Sequence, residues 1–446
     1  MQPEHRAQPG SQPGGWGSGQ QYGQSSGQPA GQPAARAASW PDGSSAGQGT
    51  AASAQQPPSV PPQVDPQTAG AGSVPTTSSR MTVPGYPSGP AAPAEEKVDT
   101  GPLPSRETLR REARAASSRR GAGDADVERA GELLKSVANI FSQRVVGQEQ
   151  LRRALVTALM SSGHILLESV PGLAKTTAAQ TLASAVSGSF RRIQCTPDLM
   201  PNDIVGTQIL NSSTGEMTTQ LGPVHANIVL LDEINRSSAK TQSAMLEAMQ
   251  ERQTSIGGVV YPLPHPFMVL ATQNPIEEEG TYVLPEAQMD RFLMKEVLTY
   301  PRPSEEADVL DRISNGTFDQ PVTGRPISTD DVEWLQRAAE RVYVDPVIKQ
   351  YIVALINTSR GGGPRPMPGL DRQVRVGASP RGGIALMKVA QAVALQEGRT
   401  YVIPDDVRLL RHGVLRHRLV LTYDALADGV APEAIIDAIF AAVPTP

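Results

Sequence analysis

The amino-acid sequence predicts an α/β domain with a parallel sheet, followed by a smaller α-helical domain and preceded by a disordered tail. Two observations support this order. From about residue 126, short apolar runs alternate with helical stretches, which is typical of a parallel sheet covered on both faces. Residues 1–120 show neither strand nor sustained helical periodicity. We therefore predict a tail and linker over residues 1–120, the α/β domain over 121–301 and the helical domain over 302–446.

The tail is distinguished by its composition. Residues 1–94 hold only six charged residues among dense Gly, Gln, Pro, Ser and Ala, and the 446-residue chain has 41 glycines and 40 prolines. Such a segment buries too little apolar surface to offset its chain entropy. A basic stretch at residues 106–120 is a candidate for a short helix. We expect a solvated tether, with partner binding or self-association as the alternative.

The strands and helices of the folded part follow from its apolar pattern. Four apolar runs are strand candidates, at residues 164–168, 190–194, 227–233 and 267–274. Two helices are predicted between them, at residues 174–187 and 237–253. The strand signal then fades, and four helices are predicted at residues 330–343, 346–360, 382–396 and 404–419.

Composition also excludes several classes of protein. The one cysteine, Cys195, cannot form an intramolecular disulfide or a multi-cysteine zinc site. The first residues lack the apolar stretch of a secretory signal and no run approaches 18 apolar residues, so we expect a cytoplasmic protein without a membrane span. Residues 121–446 hold 30 basic and 37 acidic residues, which argues against a duplex-binding surface.

The first strand, the loop after it and the next helix predict a phosphate site. Backbone amides at such a turn and the helix N-terminus attract an anion, Lys175 reaches the outer phosphates, and the Thr176 hydroxyl is a magnesium ligand. Small residues stand where two glycines are usual in such loops, which still permits close backbone approach. The alternative is an ordinary strand-to-helix turn with an exposed lysine. The candidate nucleotide-binding residues are Ser169, Val170, Pro171, Gly172, Leu173, Ala174, Lys175 and Thr176.

Two acids end the third predicted strand. Asp232 and Glu233 follow four apolar residues, and the carboxyl ends of strands are where an open α/β sheet binds its ligand. One of these carboxylates is predicted to hold magnesium together with Thr176, and its neighbour to orient or deprotonate a water, as hydrolysis of a terminal phosphate requires.

Three further polar residues are candidates for the same chemistry. Asn274 ends the fourth strand and either holds the attacking water or starts a turn before Pro275. Arg291 either spreads transition-state charge on a phosphate of a neighbouring subunit or pairs with a nearby acid, Asp290 or Glu286. Arg381 begins a helix of the second domain and either contacts the nucleotide or lies in solvent.

Long stretches of the sequence resemble the MoxR family of AAA+ ATPases, over residues of about 127 to 425. They include HILLESVPGLAKT, RIQCTPDLMPNDIVG, NIVLLDEINRSSAKTQSAMLEAMQERQ, ATQNPIEEEGTYVLPEAQMDRF and VGASPRGGIAL. The resemblance implies a P-loop NTPase core with a helical lid. It implies that Lys175 and Thr176 belong to Walker A, Asn274 to sensor 1, Arg291 to the arginine finger and Arg381 to sensor 2. Asp232 and Glu233 match the Walker B pair, which implies that Asp232 holds magnesium with Thr176 and that Glu233 is catalytic.

The sequence departs from the family pattern at a few positions. Ser169 replaces a glycine of the loop, Cys195 and His225 stand where aromatic residues are usual, and Gly382 stands where alanine is common. Residues of about 195–222 resemble an insertion that faces the pore of the ring. The changed aromatic residues therefore suggest a changed client. We expect Cys195 and His225 to be packing residues rather than metal ligands.

The resemblance implies an ATP-dependent remodeller. ATP with Mg²⁺ is expected between subunits of a hexameric ring, with hydrolysis moving the lid against the α/β domain. Family members typically act with von Willebrand factor A domain proteins as chaperones that mature other proteins; the sequence does not identify the client. The alternatives are a nucleic-acid motor and a switch that binds ATP without turnover.

Overall fold

The computed structural model describes residues 121–446, apart from 171, 276–281, 364 and 366. The predicted tail at residues 1–120, with its candidate helix, lies outside the described residues, as does Pro171. The chain first forms a pair of helices and then an α/β region. Its elements are α1 (Asp124–Arg144), α2 (Glu149–Met160), β1 (Ile165–Glu168), α3 (Lys175–Ala185), β2 (Phe190–Gln194), α4 (Pro201–Val205), β3 (Gly206–Leu210), β4 (Met217–Leu221), β5 (Ile228–Asp232), α5 (Ala239–Glu251), β6 (Gln253–Ile256), β7 (Val259–Pro262), β8 (Met268–Gln273), α6 (Glu286–Met289) and β9 (Met294–Val297).

A five-stranded parallel sheet organises this region, with strand order β2-β5-β8-β1-β9. The predicted parallel sheet is confirmed, and each of the four predicted strands is present. Strand β5 is buried along its whole length, and its residues alternate between two apolar clusters. Ile228 and Leu230 belong to one cluster, while Val229 and Leu231 belong to the other. The sheet is therefore covered on both faces, as near-continuous apolar strands require.

Two antiparallel hairpins extend the α/β region and were not predicted. They are β3–β4 and β6–β7, and they contact each other through a hydrogen bond of 3.0 Å between the Thr219 and Tyr261 hydroxyls. The first hairpin exposes large apolar side chains, which are Ile209, Leu210, Met217 and Leu221. Polar residues alternate irregularly in these segments, so their sequences carry no clear strand signal.

The C-terminal part is a helical lid, as predicted. Its elements are α7 (Pro303–Ser314), α8 (Thr329–Glu340), α9 (Pro346–Thr358), α10 (Leu370–Gln373), β10 (Val374–Val376), α11 (Pro380–Gln396), α12 (Pro404–Leu409), α13 (Arg411–Leu415), β11 (Val420–Leu421), α14 (Tyr423–Ala427) and α15 (Pro432–Ala442). Three helices match predicted ones closely, namely α8, α9 and α11. Helix α11 is the most buried of these, and its apolar side chains contribute to the larger of the two clusters.

The single helix predicted at residues 404–419 is wrong. The chain there forms α12, α13 and a 3-10 turn at Arg416–Arg418, with the break at Leu410, where φ is −113° and ψ is 24°. The break has a physical reason. The turn brings the buried side chain of Arg418 to backbone carbonyls of the segment before β9, which satisfies its guanidinium.

Candidate functional site

The phosphate loop joins β1 to α3 through two residues with left-handed backbone conformation. Gly172 has φ of 87°, and Ala174, directly before α3, has φ of 53°. The ammonium group of Lys175 lies over the loop and donates to the carbonyl oxygens of Ser169 and Val170 at 3.3 and 3.5 Å. The backbone amides at the start of an eleven-residue helix therefore face the loop with a lysine beside them.

Ser169, the departure from the usual loop glycine, is buried. Its hydroxyl donates to the carbonyl oxygen of Val170 at 3.0 Å, and its backbone N–H donates to the carbonyl oxygen of Gln273 at 3.2 Å. The serine thus fixes the loop to the end of β8. Its side chain is satisfied within the loop itself.

The two acids at the carboxyl end of β5 are held by a shared threonine. Thr272 on β8 donates its hydroxyl to Asp232 Oδ1 at 2.7 Å and accepts the backbone N–H of Glu233 at 2.8 Å. Glu233 has φ of 58°, a left-handed conformation that costs a non-glycine residue free energy and is common at functional sites. The Glu233 side chain at this strained turn is 25% exposed.

Strand β2 supplies polar partners that sequence reasoning missed. Arg192 pairs with Asp232 Oδ2 through two nitrogens, at 2.6 and 3.1 Å. Gln194 donates its amide to Glu233 Oε2 at 3.1 Å, and Arg236 pairs with the same oxygen at 3.2 Å. Arg192 and Gln194 are two apart, so they share one face of the strand. This two-residue spacing is the feature of the sequence that could have indicated a shared polar face on β2.

Asn274 follows β8 and is buried, at 5% exposure. Strands β1, β5 and β8 are parallel neighbours, so the segments after them meet at one edge of the sheet. The structure therefore brings the phosphate loop, the acid pair and Asn274 together, as the sequence indicated.

A cavity of about 810 Å³ opens beside the phosphate loop. Gly172 and Ala174 of the loop line it, and Tyr300, Leu310 and Phe318 supply apolar surface. A phosphate-binding loop next to an apolar cavity suits a nucleotide, because the base of a nucleotide is flat and apolar on its faces. The Thr176 hydroxyl and the Asp232 carboxylate offer the oxygen donors that Mg²⁺ prefers. The residues present fit ATP and magnesium.

Arg291 and Arg381 lie elsewhere. Both line a second cavity, of about 250 Å³, to which the residues of the phosphate loop do not contribute. The same cavity is lined by further basic side chains, which are Arg252, Lys388 and Arg418. Arg381 is exposed at the start of α11 and lines the same cavity as Arg291.

The salt bridges considered for Arg291 are not formed. Asp290 pairs with Arg418 at 2.8 Å, and Glu286 pairs with Arg375 at 3.1 Å. The Nε atom of Arg291 is buried and has no hydrogen-bond partner within the described part of the chain. The acid among the residues that line this cavity, Asp290, is already paired with Arg418, so Arg291 lines a basic cavity without an acid of its own.

Arg418 fixes the segment that carries Arg291. It donates to Asp290 Oδ1 at 2.8 Å and to the carbonyl oxygens of Phe292 and Leu293 at 2.7 and 3.1 Å. Burial lowers the pKa of Arg418, and the Asp290 carboxylate opposes that shift. Ser379 links the same aspartate to α11, since its hydroxyl donates to Asp290 Oδ2 at 2.7 Å. One network therefore connects the Arg291 segment to the start of the Arg381 helix.

Cys195 and His225 are separate packing residues. Burial raises the pKa of the Cys195 thiol to about 12, and His225 Nε2 lies 3.0 Å from the Thr254 hydroxyl. Over the residues that the structure describes, no cluster of three His, Cys, Asp or Glu side chains has the arrangement of a metal site. No helix in that part of the chain has both the length and the apolar character needed to span a bilayer.

Comparison with known proteins agrees with this fold. A family model described as the ATPase family associated with various cellular activities (AAA) matches residues 164–294, and one described as the AAA lid domain matches residues 370–439. The chain is 48% identical to Chaperone MoxR1 of Mycobacterium tuberculosis over 302 residues, which cover 68% of this chain and 79% of that protein.

Two further similar proteins are matched over most of their own length. Protein MoxR of Methylorubrum extorquens is 31% identical over 328 residues, covering 69% of this chain and 93% of that protein. A crystal structure of a Cytophaga hutchinsonii protein, described as a candidate ATPase, has a TM-score of 0.67 and 40% identity and covers 75% of this chain and 99% of its own. The fold, the paired core and lid and these relatives together establish that the chain belongs to the MoxR family of AAA+ ATPases.

Proposed function

We propose that the protein hydrolyses ATP with Mg²⁺ as part of a ring and uses the energy to remodel other proteins. The observation that carries this proposal is the division of the polar residues between two sites. The phosphate loop, the acid pair and Asn274 share one edge of the sheet, whereas Arg291 lines a basic cavity apart from the loop. Such a division suits a site that is completed by a neighbouring subunit.

Each residue at the sheet edge has a role in this proposal. Lys175 and the loop amides bind the phosphates, and Thr176 and Asp232 hold the magnesium ion. Glu233 accepts a proton from the attacking water, which Asn274 orients. When bound, ATP would supply the terminal phosphate that reacts, and Mg²⁺ would supply positive charge next to that phosphate. The left-handed backbone of Glu233 supports this role because strained non-glycine residues are common at functional sites.

Arg291 and Arg381 are assigned to the neighbouring subunit's phosphate. Positive charge that faces a terminal phosphate stabilises its transition state, and Arg291 has its Nε atom buried without an internal partner among the described residues. The network through Asp290 and Ser379 supports joint action of the two arginines, since it ties their segments together.

The assembly and its partners form the finer part of the proposal. We infer a hexamer that acts in the cytoplasm with a von Willebrand factor A domain protein to mature a client. The exposed apolar side chains of β3–β4 support client contact, because monomeric proteins rarely expose grouped apolar residues without function. A relative described as a chaperone, at 48% identity, also supports it.

Steady-state phosphate release from ATP tests the proposal. We expect turnover that duplex DNA does not stimulate, and none in Lys175→Ala, which lacks the positive charge on the loop and should lose productive ATP binding. Stimulation by DNA would favour a nucleic-acid motor, and ATP binding without phosphate release would favour a switch. Wild-type ATP affinity of Lys175→Ala in a calorimetric titration would refute the assignment of the loop.

A further inference from the structure

Arg192 on β2 occupies an oxygen that belongs to the magnesium site in the proposed function. Two of its nitrogens donate to Asp232 Oδ2, at 2.6 and 3.1 Å. The other carboxylate oxygen, Oδ1, accepts the Thr272 hydroxyl. Both oxygens of Asp232 therefore have partners within the protein, and one of those partners is a cation.

The two partners differ in how firmly they are held. Thr272 is fully buried on a central strand, so its hydrogen bond keeps the carboxylate in place. The Arg192 side chain is 48% exposed on β2, which is an outermost strand of the sheet. The Asp232 side chain is 11% exposed. An ion pair with one solvated partner is held weakly and is exchanged readily. Arg192 can leave while Asp232 stays.

Gln194 connects this pair to the second acid. Arg192 donates to Gln194 Oε1 at 2.7 Å, and the amide nitrogen of Gln194 donates to Glu233 Oε2 at 3.1 Å. The side chains on one face of β2 thus bind both acids in a single hydrogen-bonded chain. Movement of Arg192 would also release the partner that orients the Gln194 amide.

We propose that Arg192 competes with the divalent cation for Asp232, so that metal binding at the nucleotide site requires Arg192 to move away. This proposal rests on the proposed function, which assigns Asp232 to magnesium. A guanidinium close to a doubly charged ion opposes its binding by simple repulsion. Charges of +1 and +2 about 5 Å apart in water change a binding constant on the order of tenfold.

The test measures metal dependence of binding rather than turnover. The ADP dissociation constant of the full chain is measured by calorimetry without and with Mg²⁺, and the ratio of the two values is compared among variants. The ratio is the dissociation constant without Mg²⁺ divided by that with Mg²⁺, and we expect Arg192→Gln to raise it about tenfold. Arg191→Gln is the matched control, since it removes the same charge from the opposite face of the same strand and should leave the ratio unchanged.

The sign of the change separates competition from support. An unchanged or smaller ratio in Arg192→Gln would overturn the proposal, because a residue that merely props Asp232 should weaken metal binding when it is lost. Arg192→Lys provides a second measure that keeps the charge but not the two-nitrogen contact; its ratio should lie between those of the wild type and Arg192→Gln, and a lower value than the wild type contradicts the proposal. If the wild type binds no ADP at all, the proposed function fails instead.

Discussion

Arg418 joins the lid to the segment that carries Arg291, and its replacement by methionine is expected to disrupt both stability and turnover. Its side chain is 2% exposed and that of Asp290 is 18% exposed. Methionine keeps much of the volume but removes the charge and the donors to Phe292 and Leu293. Asp290 then lacks its cation, and two buried carbonyls lose a hydrogen bond.

The expected loss in the free energy of unfolding is about 3–5 kcal/mol, the usual cost of breaking a buried ion pair. Chemical denaturation followed by circular dichroism measures it. ADP affinity, measured by calorimetry, should remain close to that of the wild type, because Arg418 does not line the cavity beside the phosphate loop. Phosphate release should fall sharply, since Arg291 loses the contacts that hold its segment.

Arg375→Met is the matched control. Arg375 pairs with Glu286, but both side chains are 52% exposed, so the loss should be under about 1 kcal/mol. A loss under about 1 kcal/mol in Arg418→Met as well, or full turnover by that variant, would refute the structural role of Arg418.

Two other predictions follow from burial and from composition. Burial lowers the pKa of His164 to about 4 from its ordinary value of 6.5, so the unfolded chain takes up a proton that the folded chain does not, and the free energy of unfolding should fall by up to about 3 kcal/mol as pH drops from 6.5 to 4. In His164→Gln, the free energy of unfolding from urea titrations should fall less steeply as the pH drops. An equally steep fall would contradict the attribution of this pH dependence to His164. Removal of residues 1–120 should leave hydrolysis largely intact, as measured by phosphate release, and loss of the cooperative melting transition would show that this segment is not a tether.

The central strands were predictable because strands buried on both faces consist of continuous apolar runs in the sequence. Strand β9 was not, since it carries Lys295 and Glu296. Lys295 pairs with Glu168 on the neighbouring strand at 2.6 Å, and buried Glu296 accepts the Gln150 amide at 2.5 Å. Partners distant in sequence satisfy these charges, and a local pattern cannot reveal them.

The candidate site was predictable to the extent that its residues follow strands. Lys175, Asp232 and Asn274 each come after an apolar run, and parallel strands bring their ends to one edge. The shared cavity of Arg291 and Arg381 depends instead on how the lid packs on the core, through contacts between residues such as Asp290 and Arg418 that are 128 positions apart. Sequence periodicity carries no information on such packing.

Action of Arg291 across a subunit boundary is the central claim, and mixing two inactive variants tests it most directly. Arg291→Ala should keep the fold and ATP binding but lose about 10³–10⁵ in hydrolysis rate, the value of an arginine at a transferring phosphate. Lys175→Ala should be inactive through its own loop. Rings that contain both variants should recover phosphate release, because an intact loop then meets an intact arginine from the neighbour. No recovery in rings shown to be mixed, or near-normal turnover by Arg291→Ala alone, would contradict the claim.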